Sequence, residues 1–207
     1  GSAARRRGPA RDYYKGVTDA SERSDLELLE AWRAGSIQAG EALVARHWSS
    51  ISRFVRSKIG DDGADLISQV FLACVEGKDR IEEVKAYLFA TARRRLADHF
   101  RRRTRDAALD LARSSLVDLR SGPATQLDRA QRRELLADGL ARIPLDDQIA
   151  LELAYFEGLS TRELASVLEI PENTVRSRLS RARDKLRAVL AELATPAEAA
   201  LADSQLG

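Results

Sequence analysis

Apolar residues in this chain recur again and again at the spacing of an α-helix. Nowhere do they alternate with the period of two that a half-buried strand requires. The clearest case is Ile67, Val70, Phe71, Cys74 and Val75, at i, i+3, i+4, i+7 and i+8. Leu26, Leu29 and Trp32 mark an earlier helix, with Ser24 or Asp25 as its cap. Leu43, Ile51, Phe54, Val55 and Ile59 mark a second, and Leu88, Ala92, Leu96 and Phe100 the one that follows Val75. These four helices occupy residues 22–104, with short polar joins such as Gly60-Asp61-Asp62-Gly63. A second block begins at Asp128. Its stripes are Leu135, Leu136 and Leu140; Ile149, Leu153 and Phe156; Leu164, Ala165 and Leu168; and Val175, Leu179, Ala182, Leu186, Val189 and Leu190. The spacing predicts an all-α fold of two small helical domains, 22–104 and 128–192.

The segment 105–127 holds apolar residues in no sustained stripe and reads as a linker. Residues 1–21 are basic and poor in large apolar groups, so they read as a disordered tail. Residues 193–207 form an Ala-rich C-terminal tail. Gly1-Ser2, in a chain without Met, is expected to be a tag-cleavage scar. Two small blocks on a linker of about twenty residues have no evident reason to share a large interface, because small domains bury a smaller fraction of their surface. Their relative positions are expected to differ between the free and partner-bound protein.

Several function classes drop out. One Cys excludes an intramolecular disulfide and argues against a thiolate zinc site. Cys74 lies in an apolar stripe and reads as a buried, inert thiol. The two His, His47 and His99, both fall in helical patterns. There is no His-Glu-x-x-His, no phosphate-binding Gly loop and no Gly-x-Ser-x-Gly. No catalytic residue, metal site or cofactor is therefore expected. With neither a membrane-length apolar run nor a signal peptide, a soluble cytoplasmic protein without membrane insertion is expected.

The net charge of +2 conceals 34 basic residues, 29 of them Arg, and their placement is informative. Arg93 to Arg105 contains seven Arg against one acid, Asp98. Arg176 to Arg187 contains six basic residues against Asp184. One such run is usually a solvated face. Two, on helices in different blocks, suit phosphate contacts, because guanidinium keeps its charge and offers a planar fork of donors. The second run sits in a stronger pattern. Phe156-Glu157-Gly158-Leu159-Ser160 is a helix stop, and Ser160 with Glu163 forms a capping box for a short helix. Leu168 to Val175 turns into the long Arg-rich helix. This is a helix-turn-helix layout, in which the second helix presents its N-terminal residues to base edges in the major groove. Val175, Leu179, Ala182 and Leu186 face inward, which leaves Arg176, Ser177, Ser180 and Arg181 outside.

Gly158-Leu159-Ser160-Thr161-Arg162-Glu163-Leu164-Ala165, with Pro171 through Arg183, resembles the last domain of bacterial extracytoplasmic-function (ECF) sigma factors. That domain typically reads G-x-S-x-x-E-I-A … P-x-G-T-V-x-S-R-L-x-R-A-R. Asp65-Leu66-Ile67-Ser68-Gln69-Val70-Phe71 resembles the family's D-L-V-Q-E-x-F, and Tyr87 through Arg102 its W-L-x-x-I-A-R-N-x-x-x-D-x-x-R-R. The resemblance covers residues 22–192. It implies a transcription initiation factor without catalytic activity, monomeric when free, whose partners are core RNA polymerase, promoter DNA and an anti-sigma factor. The block 22–104 would be sigma domain 2, gripping the polymerase clamp and opening the −10 element. The block 128–192 would be sigma domain 4, reading the −35 element.

Carried over residue by residue, the polymerase surface is Asp65, Leu66, Ser68, Gln69 and Leu72. The −10 residues are Tyr87, Phe89, Arg93, Arg94, Asp98, Arg101 and Arg102, with Tyr87 and Phe89 as stacking or packing groups. The −35 residues are Asn173, Thr174, Arg176, Ser177, Arg178, Ser180 and Arg181. Ser68-Gln69 replaces the family's Gln-Glu, and Arg94 replaces its Asn, so the −10 preference of relatives is not carried over. Two alternatives fit fewer of these residues: a helix-turn-helix regulator acting without polymerase, and an inactive relative that sequesters a partner.

Overall fold

The computed structural model describes residues 23–106 and 127–204, and side chains over 23–103 and 133–193. Among the described residues there are eight α-helices and no strand: α1 (Asp25–Arg33), α2 (Ile37–Ile59), α3 (Ala64–Gly77), α4 (Val84–Asp106), α5 (Leu127–Arg142), α6 (Leu145–Tyr155), α7 (Thr161–Leu168) and α8 (Glu172–Ser204). The polar joins at Gly60–Gly63 and Lys78–Arg80 are 3-10 turns. The expected linker lies almost wholly outside the described residues. The last helix runs to Ser204, through most of the expected C-terminal tail.

Local chemistry sets the helix starts. Ser24 caps α1 and Ser160 caps α7. In each, the Ser hydroxyl accepts the amide three residues on, while Glu27 or Glu163 reaches back to the cap amide. Such caps contribute about 1 kcal/mol each. Asp25 is therefore not the cap of α1; its carboxylate is free to accept from Arg46 and His47, both at 2.7 Å. The helix α1 buries Leu28 and Leu29, whereas Leu26 points outward. Its Trp32 lies on Gly40 of α2, where an added Cβ would fall 2.6 Å from the indole nitrogen. The predicted stripes of α2, α3 and α4 form the core, except that Val75 of α3 is exposed. Phe54 meets Phe89 edge-on at 5.2 Å, and Trp48 stacks on Phe71 at the same distance. Cys74 is buried, and desolvation pushes its thiol up to about 11.

Helices α5, α6 and α8 build a smaller cluster around Leu140, Ile143, Leu151 and Ala182. Phe156, expected in the α6 stripe, is exposed because the helix ends at Tyr155 and the chain turns at Gly158, whose φ of 67° favours glycine.

One expectation is corrected. The two blocks do share an interface: α7 packs against α4, and Ile149, Leu153, Leu164 and Val167 join the same buried cluster as Phe54 and Phe89. Helices α6 and α7 turn Ile149, Leu153, Leu164 and Val167 toward the first block and away from the small cluster. Burying that face against α4 gains roughly 25 cal/mol per Å² of apolar surface.

Candidate nucleic-acid interface

The arginine-rich start of α8 is held by the turn before it. Glu169 takes the left-handed conformation, with φ of 57° and ψ of 41°, and its amide donates to the Ala165 carbonyl. The Ile170 amide reaches the same carbonyl at 3.2 Å. The Pro171 carbonyl accepts the Val175 amide at 3.0 Å, and the Asn173 side-chain oxygen accepts the Thr174 amide at 2.8 Å. Val175 and Ala182 are wholly buried, which fixes the rotation of the helix. Arg176, Ser177, Ser180 and Arg181 consequently face solvent together with Asn173. Ser177 donates its hydroxyl to the Thr174 carbonyl at 3.0 Å and so lies flat on the helix. Arg178 sits on the flank, half-buried, 3.6 Å from Asp146.

On α4, Arg94, Arg101 and Arg102 are exposed. Asp98 accepts from Arg101, and that hydrogen bond is the main reason its carboxyl is held below the usual carboxylate range. Arg93 is half-buried, with its guanidinium 3.6 Å from Asp146. Two expected −10 residues belong elsewhere. Phe89 is 1% exposed and packs on Phe54, so its ring offers no face to a base. Tyr87 is half-buried and donates its hydroxyl to the Ala73 carbonyl at 3.0 Å, which ties α4 to α3.

On α3, Asp65, Ser68, Gln69 and Leu72 are exposed along one face, and Gln69 donates to Asp65 at 3.3 Å. Leu66 is buried and leaves this surface, because it faces the same core as Ile67 and Val70. Beside that face lies an apolar groove lined by Trp32, Ile37, Val44, Trp48 and Val75. Sequence reasoning missed Ile37 and Trp48, since each reads as one more apolar residue on a helix.

It also missed the charges between the blocks. Lys58 is 2% exposed, and its ammonium lies 2.5 Å from Glu152, 2.6 Å from the Ser57 hydroxyl and 4.8 Å from the Phe54 ring centre. Burial pulls its pKa down, and Glu152 offsets this in part. Arg53 lies 2.5 Å from Glu157, and Lys85 donates to the Glu157 carbonyl. Lys58 falls in the buried register of Ile51, Phe54 and Val55, a signal visible in the sequence. The identity of its partner is not.

Among the described residues no group of His, Cys, Asp and Glu is placed to hold a metal ion, and no helix is long and apolar enough to cross a membrane.

Comparison with known proteins agrees with this arrangement. Residues 133–186 match the family model for sigma-70, region 4. Over 193 residues the chain is 32% identical to the ECF RNA polymerase sigma factor SigC of Mycobacterium tuberculosis, covering 83% of this chain and 94% of SigC. Among solved structures it is similar to CnrH in complex with the cytosolic domain of CnrY (TM-score 0.60, 25% identity, 81% of this chain and 97% of that one). In fold it is also similar to the sigma factor RpoE in complex with the anti-sigma factor NepR from Bartonella quintana (TM-score 0.61, 22% identity, 71% of this chain and 93% of that one). With its helix-turn-helix, its two arginine-bearing helices and a relative matched over nearly its whole length, this chain belongs to the ECF class of RNA polymerase sigma factors.

Proposed function

We propose that this protein directs core RNA polymerase to specific promoters as a non-catalytic subunit. In this reading the start of α8 reads the −35 element, and α4 engages and helps open the −10 element. The observation that carries the reading is the exposed row Asn173, Arg176, Ser177, Ser180 and Arg181, held outward by buried Val175 and Ala182. Arg is the residue that recognises guanine by two parallel hydrogen bonds, and the small hydroxyls permit close approach. Arg94, Arg101 and Arg102 supply phosphate contacts on α4. The α3 face of Asp65, Ser68, Gln69 and Leu72 docks on polymerase, with the neighbouring Trp48–Val75 groove extending it. An anti-sigma factor is a second partner, supported by the solved complex of RpoE with NepR.

The test is run-off transcription with core polymerase on a promoter library, followed by binding to single-base −35 variants at several salt concentrations. Arg176→Ala lowers affinity and flattens the preference at one position, where a bidentate Arg–guanine pair discriminates by about 1–3 kcal/mol. Arg183→Ala weakens all sequences equally and reduces the salt slope by about one phosphate's share. If Arg176→Ala also weakens every variant equally, Arg176 is a phosphate anchor. If neither change matters, the basic face of α8 is only solvated.

A further inference from the structure

The first block carries an apolar groove with walls from three helices. Trp32 of α1, Ile37, Glu41, Val44 and Trp48 of α2 and Val75 of α3 line it, and its volume is about 470 Å³. Clefts that hold a ligand measure roughly 300–1,000 Å³. The groove follows from a stripe that is covered at one end only. Ile37, Val44, Trp48 and Val55 recur at helical spacing along α2. Val55 is wholly buried, whereas Ile37 is 74% exposed and Trp48 47%. On α3, Val75 and Leu72 are 47% and 56% exposed. Apolar side chains scattered singly need no explanation, but a contiguous patch marks a surface that something covers.

We propose that the occupant of this groove is the chain's own segment 11–20, docked in cis with Tyr13, Tyr14 and Val17 as its apolar anchors. Composition, charge and reach select it. Tyr13, Tyr14 and Val17 stand ahead of α1 among Arg5, Arg6, Arg7, Arg11 and Lys15. A tyrosine ring buries a large apolar area while its hydroxyl stays in water, which suits an open groove. Glu41, on the groove, and Glu76, next to Val75, are exposed, and neither forms an ion pair among the described residues. They complement Arg11 and Lys15, which flank the tyrosines. At the other end the Lys78 ammonium lies 5.5 Å from the Trp32 ring centre, so the tyrosines belong toward Trp48 and Val75. The reach is sufficient. The Arg23 carbonyl accepts from Arg46 at 2.7 Å, so the chain enters α1 at the level of Ala45 and Trp48 along α2. Tyr14 stands nine residues before Arg23. An extended chain of that length spans up to about 30 Å, against about 10–12 Å across a helix. Such a short tether presents the segment at an effective concentration on the order of millimolar, so a weak contact is enough to fill the groove. The contact stands whether or not polymerase also uses this surface, and any other ligand of the groove competes with it.

The chain's two tryptophans, Trp32 and Trp48, both line the groove, so quenching of their fluorescence by acrylamide, a neutral probe, reads its occupancy. The test uses the full chain. Tyr13→Ser with Tyr14→Ser should raise the quenching constant about twofold, the change expected when a site filled half the time or more is emptied. Both positions precede the helices, and far-UV circular dichroism should be unchanged. Glu41→Lys, at an exposed position, should raise quenching in the parent and add nothing in the double-tyrosine variant, because the two changes break one contact. Equal quenching in the parent and the double-tyrosine variant overturns the proposal. Protection that grows with protein concentration means that a second copy fills the groove, and it overturns the assignment to a contact in cis. A Glu41→Lys effect of the same size in both backgrounds places the segment elsewhere and overturns the groove as its site.

Discussion

Replacing Glu152 by Ala takes a carboxylate away from buried Lys58 and probes the contact between the blocks. Lys58 has a side chain 1% exposed, and its ammonium lies 2.5 Å from the Glu152 carboxylate, which is 13% exposed. Removing one member of such a buried pair costs about 3–5 kcal/mol, because the remaining charge keeps its desolvation penalty and loses the opposite charge. The first block need not absorb that cost by unfolding. Separating the blocks returns the ammonium to water, so the loss appears as opening, bounded by the free energy of closure. Lys58→Met should cost less, since Glu152 then keeps the Gln148 amide donor at 3.0 Å and some water. Lys58→Met with Glu152→Leu should be near neutral, because apolar replacement of a buried pair often is.

The pH dependence has a defined sign. The Lys58 pKa is lowered when the blocks are packed together, chiefly by burial, from an ordinary 10.5. Between the lowered value and 10.5 the opened state binds more protons, so closure strengthens as pH rises through that window. The Lys58→Met variant loses this slope. Hydrogen exchange of α4 and α7 amides measures separation of the blocks directly. Equal protection of α4 and α7 in the parent, Glu152→Ala and the double variant would refute the reasoning, for it would mean that Lys58 is not sequestered by α6.

Three further outcomes are expected. Asp65→Arg should weaken binding to core polymerase in a pull-down or titration with circular dichroism unchanged, because Asp65 is exposed and accepts a hydrogen bond from its own-helix neighbour Gln69. Glu169→Gly should raise the thermal midpoint by the equivalent of about 0.5–1 kcal/mol, since a residue with a Cβ is strained at a φ of 57°. Asp25→Asn should flatten the acid limb of stability: hydrogen bonding to His47 is the main cause of the lowered Asp25 pKa, so its contribution is complete above the ordinary 3.8 and is lost as pH falls through the lowered value.

The helices, the capping boxes at Ser24 and Ser160 and the outward row on α8 were legible in the chain because each depends on neighbours within one or two turns. The same locality made Cys74 readable as core. Leu26, Val75 and Phe156 were misassigned because a stripe's end member depends on where a helix starts or stops against its neighbour, as the exposed ring beyond Tyr155 shows. The sequence left Phe89 and Tyr87 as stacking or packing groups, and only the tertiary contacts with Phe54 and Ala73 show them packed. Most of all, contact between the blocks was invisible, although its parts were in view. Lys58 lay on an apolar register, and Asp146, Glu152 and Glu157 were ordinary helix acids. Periodicity records which face of a helix is buried and never what covers it. That Glu152, 94 residues from Lys58, neutralises its charge is settled only when α6 lies against α2 in three dimensions.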